Sequence, residues 1–172
     1  LIAMTEGGKR LGHIKGVLAN MVKAGVTPLE IDTEAQRLIK AGGNKCSFMT
    51  VDNYQFATCI NVNEGMVHGI PKKNPFKEGD VVKVDVGLMH DGYHLDTSLT
   101  VQIPPFSSDV TKFLEVSQKS LDSAIFAATP GNTVYDIGLA MQTVIEAGGC
   151  NVIRDLTGHG IGRHLHMTPF IP

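Results

Sequence analysis

The sequence lacks the features that mark several broad classes of protein. Its charges nearly balance, 15 Lys and Arg against 17 Asp and Glu, so composition gives no sign of attraction to nucleic acid or to a membrane surface. No run is apolar enough to span a bilayer, and no signal peptide is visible. The cysteines, Cys46, Cys59 and Cys150, are odd in number and lack metal-finger spacing, which favours free thiols in a reducing compartment. We therefore expect a cytoplasmic protein with neither DNA nor membrane as a partner.

Several catalytic and nucleotide-binding motifs are also missing. The glycine-rich stretch GHGIG, residues 158–162, is not a dinucleotide fingerprint, because Arg163 stands where a third glycine is needed, and no phosphate-loop lysine follows. No serine lies in a nucleophile elbow. Cys59 near His68 leaves a thiol nucleophile as an alternative, but the sequence signatures of such enzymes are absent.

Four helices are predicted, in two similar pairs. Apolar spacing gives a helix over about Thr5–Ala24 and another over about Asp109–Ala128. Each is followed by a capped helix, the first beginning after Thr27, and residues 24–43 align with residues 130–149 at a shift of 106. This repeat predicts a duplicated α+β domain within residues 1–172, with helices on one face of an antiparallel sheet and halves at about 1–105 and 106–172. Chance similarity of two capped helices is the alternative.

The centre of the chain is a predicted β-hairpin, VVKVDVGLMHDGYHLDTSLTVQ, over residues 81–102. Two runs of alternating character flank Asp91-Gly92, a dipeptide that suits a type I′ turn because both central residues need positive φ. With these two residues as the loop, side chains of the two strands alternate between one apolar and one polar face.

The polar face of this hairpin brings two carboxylates together. Asp85 then faces Ser98 and Gly87 faces Asp96, so the two Asp residues are diagonal neighbours with Cβ atoms roughly 7 Å apart or less. Carboxylates at this separation suit a pair of cations about 3.5–4 Å apart. The alternative is the ordinary solvated face of a half-buried sheet. Carboxylates together with an imidazole would suit Mn, Fe, Co or Zn.

Three motifs, taken together, resemble those of one enzyme family. CINVNEGMVHGIP, VKVDVGLMHDGYHLDTS and LTGHGIGRHLHMTP, in this order and spacing, resemble methionine aminopeptidases, most closely the bacterial type I form. The resemblance covers essentially the whole chain. It implies a duplicated pita-bread fold of the aminopeptidase and creatinase type, two divalent metal ions (Co, Mn, Fe or Zn), and hydrolytic removal of N-terminal methionine from nascent chains. It also implies a monomer, with the ribosome as a candidate partner.

The resemblance assigns roles to residues of this sequence. It implies that Asp85, Asp96 and His159 are metal ligands. It implies that His68 contacts the scissile amide and that His166 steadies the tetrahedral intermediate, both of them binding substrate. The methionine pocket would be lined by Tyr54, Cys59, Leu165 and Phe48, with Leu165 standing where the family often has an aromatic residue.

One departure from the family pattern concerns acidic ligands. The family has two further glutamate ligands in later motifs, and no Glu follows Glu146 here. We therefore expect the chain to be an N-terminal part of the enzyme, with an incomplete fold and no activity on its own. Two alternatives remain, another pita-bread peptidase such as a prolidase or aminopeptidase P, and a non-catalytic binding homologue.

Overall fold

The structure, a computed structural model, describes all 172 residues and divides the chain into two compact units. The first unit comprises Leu1–Phe106 and Ile161–Leu165, and the second comprises Ser107–Gly160 and His166–Pro172. The sequence placed a boundary at about residue 105 but did not predict that Ile161–Leu165 packs with the first unit. No helix has the length and apolar character needed to cross a membrane.

Two helices open the first unit. Helix α1 spans Ile2–Met21, so the predicted range of about 5–24 was wrong by three residues at each end. The chain leaves the helix at Val22, whose backbone is extended, and Gly25 follows with φ of 88°. Helix α2 spans Pro28–Ala41 and has the predicted capping box, with the Thr27 hydroxyl accepting from the Glu30 N–H at 3.2 Å.

The sheet of the first unit is antiparallel throughout. Strands β1 (Lys45–Cys46) and β2 (Thr58–Val62) pair with one edge of β3 (Val81–His90), and β4 (Tyr93–Gln102) pairs with the other. A 3₁₀ turn, Phe48–Thr50, lies in the connection between β1 and β2. The predicted α+β architecture with an antiparallel sheet is confirmed in this unit.

The hydrophobic core of this unit lies between the sheet and its two helices. In β3 the apolar residues Val82, Val84, Val86 and Leu88 are buried, as the predicted alternation requires, and Gly87 between the last two is buried as well. Full burial of an aliphatic side chain contributes roughly 1.5–3 kcal/mol, so this layer dominates the stability of the unit. The core side chains include Leu11, Ile14, Leu18, Ile31, Ala35, Ile39, Val82, Val84, Val86 and Leu88.

The second unit has two helices and a short strand pair. Helix α3 spans Ser108–Ala127 and α4 spans Val134–Ala147. Strands β5 (Gly158–Gly160) and β6 (Met167–Ile171) pair antiparallel, with an irregularity after His159. Within this unit α3 packs on α4, and α4 packs on β6.

The capped helices of the two units match in detail. Thr133 caps α4 as Thr27 caps α2, each with a full capping box, and both helices have 14 residues. Gly43 and Gly149 follow them with φ of 73° and 75°, a conformation that favours glycine. Chance similarity of two capped helices would account for the capping residues but not for the equal helix lengths and the matching glycine conformations. The agreement therefore favours duplication over chance similarity.

Candidate active site

The hairpin has the predicted register. His90 pairs with Tyr93, and Asp91 and Gly92 have φ of 48° and 78°, as a type I′ turn requires. Asp85 lies opposite Ser98, and Asp96 lies opposite Gly87, so the two carboxylates are diagonal neighbours on one face.

The two carboxylates interact directly. The pKa of Asp85 is raised to about 8, because burial disfavours its charged form and because the charge of Asp96 and a hydrogen bond to Asp96 act in the same direction. A proton therefore stabilises the pair at neutral pH.

This arrangement fits a divalent cation. The donors are carboxylate oxygens, which hard and borderline cations prefer, and a cation can replace the proton that offsets the repulsion between Asp85 and Asp96. No group of three or more His, Cys, Asp or Glu side chains comes together in the structure. The Asp pair by itself supplies two candidate ligand residues.

A compact pocket cluster lies beside the carboxylate pair. It consists of the buried side chains Phe48, Cys59 and Leu165 with the partly buried Tyr54 against them. Cys59 lies opposite Asp85 in the pairing of β2 with β3. The structure therefore brings together all four residues that the sequence placed in the methionine pocket.

Hydrogen bonds and close packing fix this pocket cluster. The Tyr54 hydroxyl donates to the Thr58 carbonyl oxygen at 2.7 Å and lies 3.2 Å from Cys59 Sγ. The Phe48 ring covers Gly87 so closely that a Cβ there would come within 2.7 Å of it. Burial raises the pKa of the Cys59 thiol, which keeps the thiol protonated and disfavours the alternative of a cysteine nucleophile.

The segment Ile161–Leu165 brings Leu165 to this cluster. The Gly162 carbonyl oxygen accepts from the His94 N–H at 2.7 Å, and the Arg163 guanidinium lies 4.2 Å from the centre of the Tyr93 ring. These two contacts hold the segment along β4.

His68 lies in an exposed loop along the free edge of β2. The Ile60 N–H donates to the Gly69 carbonyl oxygen at 2.8 Å, and a Cβ at Gly69 would collide with the Ile60 carbonyl oxygen. His68 itself has φ of 56°, an uncommon conformation for a residue with a side chain. Such strain persists only where the surrounding structure enforces it, and it concentrates at functional sites.

His159 and His166 are neighbours in the second unit. Their rings meet edge to face with centres 4.6 Å apart. His159 Nδ1 lies 3.0 Å from the Gly160 carbonyl oxygen, which can only accept, so Nδ1 carries the hydrogen. In the neutral ring the lone pair is then on Nε2, and neutral imidazole is the form that binds a cation.

Two buried polar residues of the first unit were missed from the sequence. His94 Nδ1 lies 2.7 Å from Ser47 Oγ, and the carboxylate of Asp32 on α2 is wholly buried. Asp32 falls within the apolar stripe of its helix, and this position could have predicted from the sequence that its carboxylate is buried. Nothing local marked the contact of His94 with Ser47, since the two lie 47 residues apart.

Comparison with known proteins finds that the chain is similar to bacterial methionine aminopeptidases. The chain is 36% identical over 169 residues to methionine aminopeptidase 1 of Bacillus subtilis, covering 98% of this chain and 68% of that protein. It is 37% identical to the methionine aminopeptidase of Aquifex aeolicus, covering 94% of this chain and 66% of that protein.

Solved structures agree with the sequence comparison. The crystal structure of methionine aminopeptidase from Thermotoga maritima superposes with a TM-score of 0.95 at 34% identity, covering 99% of this chain and 69% of that one. Prolidase from Pyrococcus furiosus superposes with a TM-score of 0.86 over 98% of this chain and 49% of that one, but at 19% identity, which shows the fold alone. The pita-bread fold predicted from the sequence is therefore confirmed. The model of metallopeptidase family M24 matches residues 3–172, and the chain belongs to that family.

Proposed function

We propose that this protein is a metal-dependent methionine aminopeptidase, which hydrolyses the peptide bond after an N-terminal methionine. The observation that carries the proposal is the half-buried pair of Asp85 and Asp96 beside the pocket cluster. It occurs in a chain that is 34–37% identical to methionine aminopeptidases from several bacteria. Nascent chains that begin with methionine are the expected substrates.

Asp85, Asp96 and His159 are the proposed metal ligands. Their donor set suits two divalent cations of the Mn, Fe, Co or Zn type. The chemistry that such cations supply is acidification of a water molecule and polarisation of the scissile carbonyl group. The carboxylates would contribute the negative charge that holds the cations, and His159, whose Nδ1 faces the Gly160 carbonyl oxygen, would bind through Nε2.

His68 and His166 are proposed to act on the substrate. His68 would donate a hydrogen bond to the scissile amide, and its loop is fixed to β2 by the hydrogen bond from the Ile60 N–H to the Gly69 carbonyl oxygen. His166 would stabilise the negative charge that develops on the carbonyl oxygen in the transition state.

Phe48, Tyr54, Cys59 and Leu165 are proposed to bind the methionine side chain. Two rings, a thiol and a branched aliphatic group offer an apolar, polarisable surface. A thioether binds well to such a surface because it is flexible and polarisable. Leu165 stands where the family often has an aromatic residue, so the side chain at this position of the pocket is smaller than is usual in the family.

Three finer properties belong to the same proposal. A cytoplasmic location follows from the free thiols of all three cysteines and from the substrate class. The enzyme would act as a monomer. It would also associate with the ribosome, where its nascent substrates emerge.

The competing activity is that of a prolidase or an aminopeptidase P. Solved examples of these enzymes share the fold at 18–22% identity, below the 26–37% found for methionine aminopeptidases. A non-catalytic binding homologue is disfavoured, because the chain retains Asp85, Asp96 and His159, the proposed metal ligands.

Peptide hydrolysis separates these possibilities. The full-length protein, supplied with Mn²⁺ or Co²⁺, would be assayed on Met-Ala-Ser and on Ala-Pro peptides. We expect release of methionine from the first and little cleavage of the second. Preferential cleavage of Ala-Pro would contradict the proposal in favour of a prolidase-like enzyme, and cleavage of neither would favour the binding homologue.

A further inference from the structure

We infer that Asp32, which carries none of the chemistry, is a positioning residue for the pocket that receives the methionine side chain. The inference rests on the proposed function, because it takes Tyr54 and Cys59 to line that pocket. It assigns a specific task to a buried carboxylate on α2 that the motifs of the sequence leave unexplained.

Asp32 clamps the start of β2 to helix α2. Its side chain is 0% exposed. Oδ1 accepts from the N–H groups of Ala57 and Thr58, each at 2.9 Å, and from the Thr58 hydroxyl at 2.8 Å. Oδ2 accepts from the Gln36 amide at 2.8 Å. Four donors on one carboxylate fix both the position and the direction of the chain where it enters the sheet.

Thr58, which Asp32 holds in place, contacts the pocket residues directly. Its carbonyl oxygen accepts from the Tyr54 hydroxyl at 2.7 Å, and the same hydroxyl lies 3.2 Å from Cys59 Sγ. Cys59 follows Thr58 in β2 and lies opposite Asp85. A shift of Thr58 therefore displaces the pocket residues on either side of it in sequence.

The internal repeat provides a natural comparison. Residue 138 occupies the place of Asp32 in the second unit, and it is glycine, with no room for a side chain because a Cβ would lie 2.7 Å from the Pro172 carbonyl oxygen. In α2 the amide of Gln36 donates to Asp32, whereas in α4 the amide of its counterpart, Gln142, donates to Glu146.

The capped helix thus forms equally well without this carboxylate. Both copies have the same length, the same capping box and the same glycine conformation at the end. The aspartate occurs in the copy whose following strand bears pocket residues. This difference points to a task in the pocket rather than in helix formation.

Removal of the Asp32 carboxylate should impair binding of the methionine side chain more than it slows the hydrolysis step. In Asp32→Ala the two N–H groups and the Thr58 hydroxyl lose their acceptor, and buried donors without acceptors move towards water or other partners. The start of β2 then shifts, which impairs recognition of the methionine side chain. In Asp32→Asn the amide oxygen can still accept from Ala57 and Thr58, and Gln36 can turn its own oxygen towards the new amide group.

The test compares steady-state kinetics of full-length variants on Met-Ala-Ser and Leu-Ala-Ser. For Asp32→Ala we expect KM for Met-Ala-Ser to rise about tenfold, as loss of a few buried hydrogen bonds implies, with a smaller change in kcat and a weaker preference for methionine. Asp32→Asn should restore most of the affinity. Thr58→Val removes only the hydroxyl and should shift KM in the same direction by less, which gives a second readout if Asp32→Ala fails to fold.

Ile39→Ala is the matched control. Ile39 is fully buried on the same helix but packs in the hydrophobic core, so its truncation lowers stability without changing hydrogen bonds at Thr58. The inference is overturned if Thr58→Val and the Asp32 variants keep wild-type KM and methionine preference, or if Ile39→Ala raises KM equally. A wild-type protein that releases no methionine would instead contradict the proposed function.

Discussion

Asp85 and Asp96 are diagonal neighbours on adjacent strands, and the charge of Asp96 opposes the ionisation of Asp85. Burial and the charge of Asp96 raise the pKa of Asp85 to about 8, far above that of an exposed aspartate. The metal-free hairpin therefore holds a destabilising pair, which a bound cation would relieve. We therefore expect Asp85, a proposed metal ligand, to lower the stability of the metal-free protein.

Asp85→Asn should stabilise the metal-free protein at neutral pH. Because the folded-state pKa of Asp85 is raised, its contribution to stability is fully present below the unfolded-state value near 3.8 and is lost as pH rises towards about 8. Asparagine mimics the protonated form, so the variant should gain at least about 1 kcal/mol at pH 7.5 and much less at pH 4.5. Thermal unfolding in the presence of a chelator at both pH values measures this.

Asp91→Asn is the control for this effect, since it makes the same change in the exposed turn of the same hairpin. Its effect on the unfolding temperature should not depend on pH in this way. A stabilisation of Asp85→Asn that is equal at both pH values would show that packing, rather than charge, accounts for it.

His68→Ala should lower turnover while leaving the metal content near that of the wild type. General acid–base or hydrogen-bonding groups at a reacting centre typically contribute 10²–10⁴-fold in rate, so we expect a loss of about a hundredfold or more in kcat/KM. Elemental analysis alongside peptide hydrolysis measures both quantities. His13→Ala, on the exposed face of α1, should change neither. Loss of bound metal in His68→Ala would place this histidine among the ligands.

Two adjacent glycines of α1 should respond in opposite directions to alanine. Gly8 has open space where a methyl group would be added, so Gly8→Ala should stabilise the helix by roughly 0.5–1 kcal/mol. At Gly7 the same methyl group would come within 2.7 Å of Leu95 and 2.9 Å of His90, both on the central hairpin. Gly7→Ala should therefore lower the unfolding temperature. Equal effects of the two changes would contradict the close approach of α1 to the hairpin.

Local signals in the sequence predicted the parts of the fold that depend on few neighbours. The Asp91-Gly92 turn fixed the register of β3 and β4 over their whole length, and with it the pairing of Asp85 and Asp96. Capping residues fixed the beginning of α2 and of α4. The boundaries of α1 were less accurate because its start, at Leu1, has no side-chain cap to mark it.

Contacts between distant residues could not be predicted from the sequence in the same way. Asp32 binds Ala57 and Thr58 across 25 and 26 residues, and Ser47 meets His94 across 47 residues. Leu165 joins the pocket cluster only because Ile161–Leu165 lies along β4, which depends on the His94 N–H and on the Tyr93 ring. Only the resemblance to a family placed Leu165 in the pocket in advance.

The most direct test is a joint measurement of metal content and methionine release in the full-length Asp96→Ala variant, with Asp91→Asn as the matched change in the same hairpin. If the carboxylate pair is the metal centre, Asp96→Ala loses both its bound divalent metal and its hydrolysis of Met-Ala-Ser, while Asp91→Asn retains both. Normal turnover with a normal metal content in Asp96→Ala would contradict the assignment of this pair and the mechanism built on it.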